Sequence, residues 1–544
     1  MSGRILPLAF LMLLALHGAL LLSVEVYPLI DLPYHLSGAT IARFLDDPSA
    51  PFGDFYGLQI WPHPNVAHLL FCSRSIFPSV ETAGRIFLLL CLVLLPVMLW
   101  RLIRLLGGDP WMALLGFLLV YHYSFSWGFV GFVLGVPLVL LGLELLIRHD
   151  RHPRWGLRLA LGALLLALFF VHLLTALFLA FTLLVMLLYR CRLRDALALL
   201  PLLGMIAYWQ AGASGDSEGT LLGELGRYYL RDFLPTLHRR GAFLFWDHFA
   251  LFRGARGYSI ATLFSGAIAV FALMAAWRRR SEIIERLRAR RMGPAGLFLI
   301  AALLVYLFLP QKIPGTAHLY ERFSVLFLLA LAIQASHWPP GGSRAAGRRR
   351  PRGAWRWRTL LLLLCLLHLV LWTDYYRGFA ADSATFTREL LPPGGRSGRL
   401  AAFILDYDYR GRPVYNHFPD YYTVWKHGIT VSKVGDYRFY PVRRRATEDA
   451  LPVYNEWIGK WGRYDGRYTG LEYILVRGAL PPELHGVLCG YDPLRESGAW
   501  RLYGRTVGIR PGAAEGARDG SETDEGRTPG TRDHLRGLGA NPAD

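Results

Sequence analysis

Between Tyr27 and Leu36 the chain reads YPLIDLPYHL, which sets a carboxylate, a proline and an imidazole (Asp31, Pro33, His35) just beyond its first long apolar run. Ionised groups near a hydrocarbon boundary are rare and usually functional. A carboxylate there can take the proton of an attacking hydroxyl, and His35, one helical turn on, can orient it or share that proton. The plainer role is structural: Asp ahead of a first-turn proline is a common helix cap. Pro33 to Asp47 carries Leu36, Ala39, Ile41 and Leu45 among its apolar positions. That pattern predicts a short amphipathic helix lying along the membrane surface and holding Asp31 towards a lipid-borne group.

A second group of candidates lies in QKIPGTAHLYERF, Gln311 to Phe323. Lys312 is one of only four lysines, so its placement in this loop is informative, and Arg322 opens an apolar run at the expected outer interface. Cations so placed stabilise a departing phosphate as its charge develops. Snorkelling anchors are the bland alternative, with Glu321 available to neutralise Arg322 and His318 the weakest candidate of the four. His172, at an expected outer turn within Leu159 to Tyr189, either lines the same cavity or bonds a neighbouring helix. Asp54, in FGDFYG, is a second carboxylate for a divalent metal or an acceptor sugar, or simply a turn residue. Tyr121, His122 and Tyr123 read as an aromatic belt. The run VYNHFPDYYTVWKHG, Val414 to Gly428, supplies rings for stacking on sugars or for a small core.

These residues need a scaffold, and composition describes it. The 544 residues are 53 % hydrophobic with mean hydropathy +0.30 yet 18 % charged, which fits a multi-pass membrane protein with a water-exposed part. The net charge of +19 is no sign of nucleic acid. Its arginines cluster in short segments between apolar runs, as cytoplasmic loops do. Five cysteines show neither disulfide nor zinc spacing. The first run, Ile5 to Val24, lacks a small-residue cleavage site and reads as a retained span. About 11 transmembrane helices follow from the apolar runs, among them Trp111 to Phe125 and Asp195 to Gly212. One assignment puts every arginine cluster inside: a cytoplasmic N-terminus in a bacterial inner membrane and an extracytoplasmic C-terminal domain. The fold expected is a polytopic α-helical membrane protein, residues 1–373, with outer loops 25–81 and 213–257. The second loop holds a helix-like piece, Leu221 to Leu234. A small α/β domain spans 374–510, with strands at Leu400 to Leu405, Tyr473 to Val476 and Trp500 to Val507 and a helix at Phe379 to Leu390. Residues 511–544 have a disordered composition.

The pattern resembles the GT-C superfamily of membrane glycosyltransferases. YPLIDLPYHL looks like the D-x-P-x-H first outer loop of a group of bacterial membrane proteins related to that superfamily. WGFVGFVLGVPL (Trp127 to Leu138) and FFVHLLTA (Phe169 to Ala176) also look like segments of the group. The resemblance implies an extracytoplasmic enzyme that moves a sugar from a polyprenyl-phosphate or polyprenyl-diphosphate carrier to a glycan, lipid or protein acceptor. Asp31 and His35 would be catalytic, with Arg322, Lys312, His318, Glu321, His172 and Asp54 binding substrate. Membrane lipids surround it, and a divalent metal stays an open option. Two other classes stay open: a transporter or flippase of a lipid-linked intermediate, and a catalytically silent GT-C-like assembly partner. Internal symmetry, common in transporters, is missing from the sequence.

Overall fold

The computed structural model describes residues 2–213, 237–249, 255–313, 316–337, 354–395, 398–435, 440–445, 451, 452, 454 and 466–506. The expected helix Leu221 to Leu234 and the tail 511–544 lie outside them. The long helices are α1 (Ser2–Leu22), α2 (Leu32–Arg43), α3 (Val80–Leu106), α4 (Val130–Arg151), α5 (Trp155–Val171), α6 (Leu173–Arg190), α7 (Leu200–Ala213), α8 (Ala255–Arg278), α9 (Pro294–Phe308), α10 (Leu319–Ala335) and α11 (Ala354–Asp382). Among the described residues six of these, α1, α3, α4, α6, α8 and α11, are long and apolar enough to cross a membrane, and α5 and α9 are shorter apolar helices. Leu8, Leu188, Leu273 and Val370 on four of the six stay 64–71 % exposed, which water would penalise and lipid does not. The protein is a helical membrane protein with a small sheet towards its C-terminus.

Ion pairs knit the arginine-rich helix ends together. Arg101 of α3 and Arg148 of α4 share Glu144 at 3.0 and 2.8 Å. Arg190 and Arg192 meet Asp150, and His149 and Arg158 share Asp195. Arg358 of α11 holds Asp109 at 3.0 Å, whose own N–H donates to Ser336 at the end of α10. Arg101 and Arg148 are half-exposed, and pairs so placed contribute little stability one by one. Their value here is geometric, since they define one basic end of the bundle.

The opposite ends hold the candidate residues. The helix break at His172 is real: its backbone is extended (φ −166°, ψ 116°) between α5 and α6. Asn65, from the first outer loop, caps the break, its Oδ1 accepting from Leu173 N at 2.8 Å and its N–H donating to Phe169 O. The segment expected as a regular span from Trp111 to Phe125 differs. It is a 3-10 turn (Pro110–Leu114) and two single α turns (Leu115–Leu118, Tyr123–Ser126). Irregular backbone at membrane depth is tolerated only when protein encloses it, and residues 112–122 are all buried. Gly116 permits the enclosure, because a Cβ there would lie 2.9 Å from Pro96 Cα of α3. Cys365 Sγ reaches the Leu114 carbonyl at 3.2 Å. The aromatic-belt reading of Tyr121 and His122 therefore fails: both sit inside, Tyr121 against Trp372 at 4.6 Å. The expected span Asp195 to Gly212 is likewise split, into a 3-10 stretch (Leu193–Leu199) and α7, whose second residue is Pro201.

Beyond α11, five strands form a mixed sheet, β2 (Arg399–Ile404), β3 (Ile429–Thr430), β5 (Tyr473–Arg477), β6 (Tyr491–Ser497) and β7 (Trp500–Arg505), in the order β3-β2-β5-β7-β6. β2 runs parallel to β3 and β5, and the other pairs are antiparallel. A separate antiparallel pair joins β1 (Tyr56–Leu58), in the first outer loop, to β4 (Val442–Arg444), so this loop and the C-terminal part are built into one another. Residues Met1–Arg505 accordingly form one unit. No separate helix spans Phe379 to Leu390: α11 runs on to Asp382, then the chain turns. The turn buries Phe386 between Phe418 and Trp500, at 5.1 and 4.6 Å.

Candidate functional site

The turn Tyr123 to Phe129 positions Asp31. Asp31 N donates to Trp127 O at 2.9 Å, and Ile30 N to Ser126 O at 3.4 Å. Gly128 makes the approach possible: it has φ +78°, and a Cβ would stand 2.9 Å from Leu32 N and 3.0 Å from Asp31 N. Here glycine supplies both a left-handed backbone and the missing bulk.

Asp31 occupies the cap position of α2 but its side chain caps nothing. Its Oδ1 lies 3.2 Å from Lys433 Nζ and 3.4 Å from His417 Nε2. Lys433 in turn lies 3.5 Å from His417 Nε2 and 5.0 Å above the Tyr34 ring. The other nitrogen of His417, Nδ1, is 3.2 Å from Tyr454 Oη and 3.7 Å from Asp420 Oδ2. Two carboxylates thus flank one imidazole, with an ammonium beside the first. His417, Asp420, Lys433 and Tyr454 all come from the C-terminal part, which closes over the loop. For the same reason α2 is no surface helix: nine of its twelve residues are buried, and it packs on α3 and on the short helix Tyr421–Lys426.

Electrostatics follow from that geometry. Burial alone would raise the Asp31 carboxyl. The Lys433 charge and the His417 hydrogen bond outweigh it and hold Asp31 well below the usual carboxylate range. His35 is pushed down to about 4 by burial, and Lys433, His417 and Arg322 add to the shift against the opposing pull of Asp31. It is therefore neutral near pH 7, with its ring 5.0 Å from Tyr34 and 5.4 Å from His68. The partner expected for Asp31 was His35. The ion pairs to Asp31 come instead from His417 and Lys433.

Burial raises Asp420 to about 6 from an ordinary 3.8, with His417 opposing. The folded state therefore binds this proton more tightly than the unfolded chain. That contribution is complete below about pH 3.8 and is lost as the pH climbs through about 6. At ~1.4 kcal/mol per unit it reaches about 3 kcal/mol. Asp420→Asn removes it, so the variant's melting temperature in detergent should rise relative to the parent between pH 4 and pH 7. A difference that stays constant over that range would contradict the assignment.

The phosphate candidates lie behind the same turn. The Arg322 guanidinium sits 3.6 Å from the centre of the Phe129 ring and is within electrostatic reach of both His35 and His172. His172 packs edge-on against Phe132 at 5.4 Å and lies 3.4 Å from a Cβ placed on Gly131. His318 Nδ1 is 2.8 Å from Tyr123 Oη, and its ring is 4.3 Å from that of Trp127. Glu321 is buried, accepts from Gln311 Nε2 at 3.0 Å and lies 3.8 Å from His318. Lys312 is half-buried in this loop, which closes through Leu319 N donating to Gln311 O. Asp31, His172, His318 and Arg322 thus gather round the segment Trp127 to Phe132, with His35 within electrostatic reach of Arg322. Asp54 does not join them: it is exposed, in a one-turn helix, Phe52–Phe55, just before β1. Among the described residues no group of three or more His, Cys, Asp or Glu side chains is arranged to hold a metal.

Sequence reasoning missed Lys433 and Tyr454, and it placed His417 and Asp420 only in an aromatic run. Lysine scarcity was the available signal, for Lys433 is another of the four. A scan against known family models finds no match for this chain, and no curated protein matches it.

Proposed function

We propose that this protein is an extracytoplasmic glycosyltransferase that takes a sugar from a polyprenyl-phosphate or polyprenyl-diphosphate carrier and passes it to a hydroxyl acceptor. One observation carries the reading. The carboxylate at the outer end of the first spanning helix is enclosed with an ammonium and an imidazole, and the first turn of α10 brings in Arg322 nearby.

In the resting site Asp31 is a poor base, because Lys433 holds its charged form. A lipid phosphate arriving at Lys433 offsets that cation and raises the basicity of Asp31, which couples base activation to donor binding. The acceptor O–H proton then passes to Asp31, the acceptor oxygen bonds to the sugar's anomeric carbon, and the carbon–oxygen bond to phosphate breaks. Lys433 and Arg322 take up the charge left on the carrier phosphate. His417, between Asp31 and Asp420, is placed to carry the proton onward. The direct test is turnover of a polyprenyl-phosphate sugar by the purified protein, read as release of the free carrier phosphate.

This mechanism needs the basic end of the bundle in the cytoplasm and the sheet outside, with eleven crossings between N- and C-termini. Two native cysteines report on that. Cys191, after α6 at the basic end, and Cys489, in the C-terminal part, are exposed, whereas Cys72, Cys91 and Cys365 are buried. An impermeant maleimide should label Cys489 in intact spheroplasts and reach Cys191 only after lysis, each band vanishing with its Cys→Ser variant. The opposite pattern would invert the topology and remove the mechanism with it.

A further inference from the structure

An open, polar cleft lies at the outer ends of α1 and α3, apart from the Asp31 cluster. Glu25 and the residues just before it form one wall, Glu81 and Arg85 another, and Arg388, Tyr421 and Trp425 of the C-terminal part the third. Two acidic and two basic residues line the cleft. Arg388 Nη2 lies 3.0 Å from Glu81 Oε1, and Arg85 donates to the Glu25 carbonyl at 3.3 Å. The Trp425 indole stacks on Tyr421 at 4.6 Å and has the Arg388 guanidinium 5.4 Å from its ring.

We infer that this cleft binds a neutral saccharide. An anionic headgroup or free phosphate needs an excess of positive charge, and here the lining holds two glutamates against two arginines. An apolar ligand has no match in walls made of carboxylates, guanidiniums and hydroxyls. A sugar ring does, because each hydroxyl both donates to a carboxylate and accepts from a guanidinium, while its C–H face lies against an aromatic ring. The Arg388–Glu81 pair contributes little stability at its exposure of 53 % and 18 %. It does present donors and acceptors in fixed register. The helix Tyr421–Lys426 follows Asp420 directly, so Trp425 stands only ~8 Å further along the chain axis at 1.5 Å per residue. Resting on the transferase reading, we assign the cleft to the acceptor glycan.

The test uses the full-length protein in nanodiscs, with chitotetraose and maltotetraose as probes and saturation-transfer NMR and calorimetry as readouts. At least one probe should bind saturably, and Trp425→Ala and Arg388→Gln should each weaken it tenfold or more, Arg388→Gln at an unchanged melting temperature. Arg388 is exposed, so its replacement leaves the core intact. Inorganic phosphate and anionic-lipid vesicles should not compete. Binding of neither oligosaccharide, binding unaffected by both variants, or competition by phosphate would each overturn the inference. Because no turnover is read, saccharide binding by a protein without transferase activity would keep the cleft and reject only the acceptor assignment.

Discussion

If the protein is the proposed transferase, Asp31→Asn should lower sugar transfer by roughly 10²–10⁴-fold while membrane insertion and carrier binding persist. The substitution keeps size and an accepting oxygen but cannot take a proton at neutral pH. A helix-cap role is the competing reason for Asp31 to stand at the start of α2. The side chain makes no capping bond, so loss of a cap does not enter the expected effect. What the variant does lose is a charge partner for Lys433, whose side chain is 24 % exposed and so stays partly solvated. With Asp31 buried, removing this member of the pair should cost about 3 kcal/mol. Transfer lost in an Asp31→Asn protein that still inserts and binds carrier thus separates a base from a structural ion pair. Normal turnover in a well-folded Asp31→Asn protein removes Asp31 from the mechanism. Carrier binding without turnover in the parent itself favours the flippase reading.

Much of this arrangement was legible in the chain. Apolar runs report helices fit to cross a membrane through composition alone, and the arginine-rich helix ends do meet through Glu144, Asp150, Asp195 and Asp109. The break at His172 was visible as a length too great for one crossing, although Asn65, which caps it from a distant loop, was not. Asp31 stood out because an acid at that boundary is costly. Its surroundings did not, because Lys433 is 402 residues away and reaches it only through tertiary closure. Local pattern also misled at α2, where one apolar face was expected and nearly every face is covered. Gly38 is the reason: it lets the Tyr440 ring press directly on the helix. At Trp111 to Phe125 hydropathy gave the burial correctly and the regular helix wrongly, because apolarity does not distinguish lipid contact from enclosure by α3, α10 and α11.

Lys433→Met and Arg322→Ala should each lower turnover by roughly 10²–10³-fold, as loss of a charge-stabilising donor does elsewhere, yet differ in pH dependence. Lys433 is the leading cation that depresses Asp31, with His417 and His35 the other partners, and Arg322 is not among its principal influences. A carboxyl held low contributes stability above its unfolded value and loses it as pH falls through the folded value. Removing Lys433 therefore moves the loss of Asp31's charge to higher pH. The acid limb of the turnover profile of Lys433→Met should shift upward, whereas Arg322→Ala should lose rate at an unmoved limb. Arg322→Lys should recover only part of the rate, since a point charge replaces a planar fork over the Phe129 ring. The two variants thus tell a cation that tunes the base from one that serves the leaving group alone. Equal limbs in both would detach Lys433 from Asp31 in the working enzyme, and full activity of Arg322→Ala would leave that arginine an interfacial anchor.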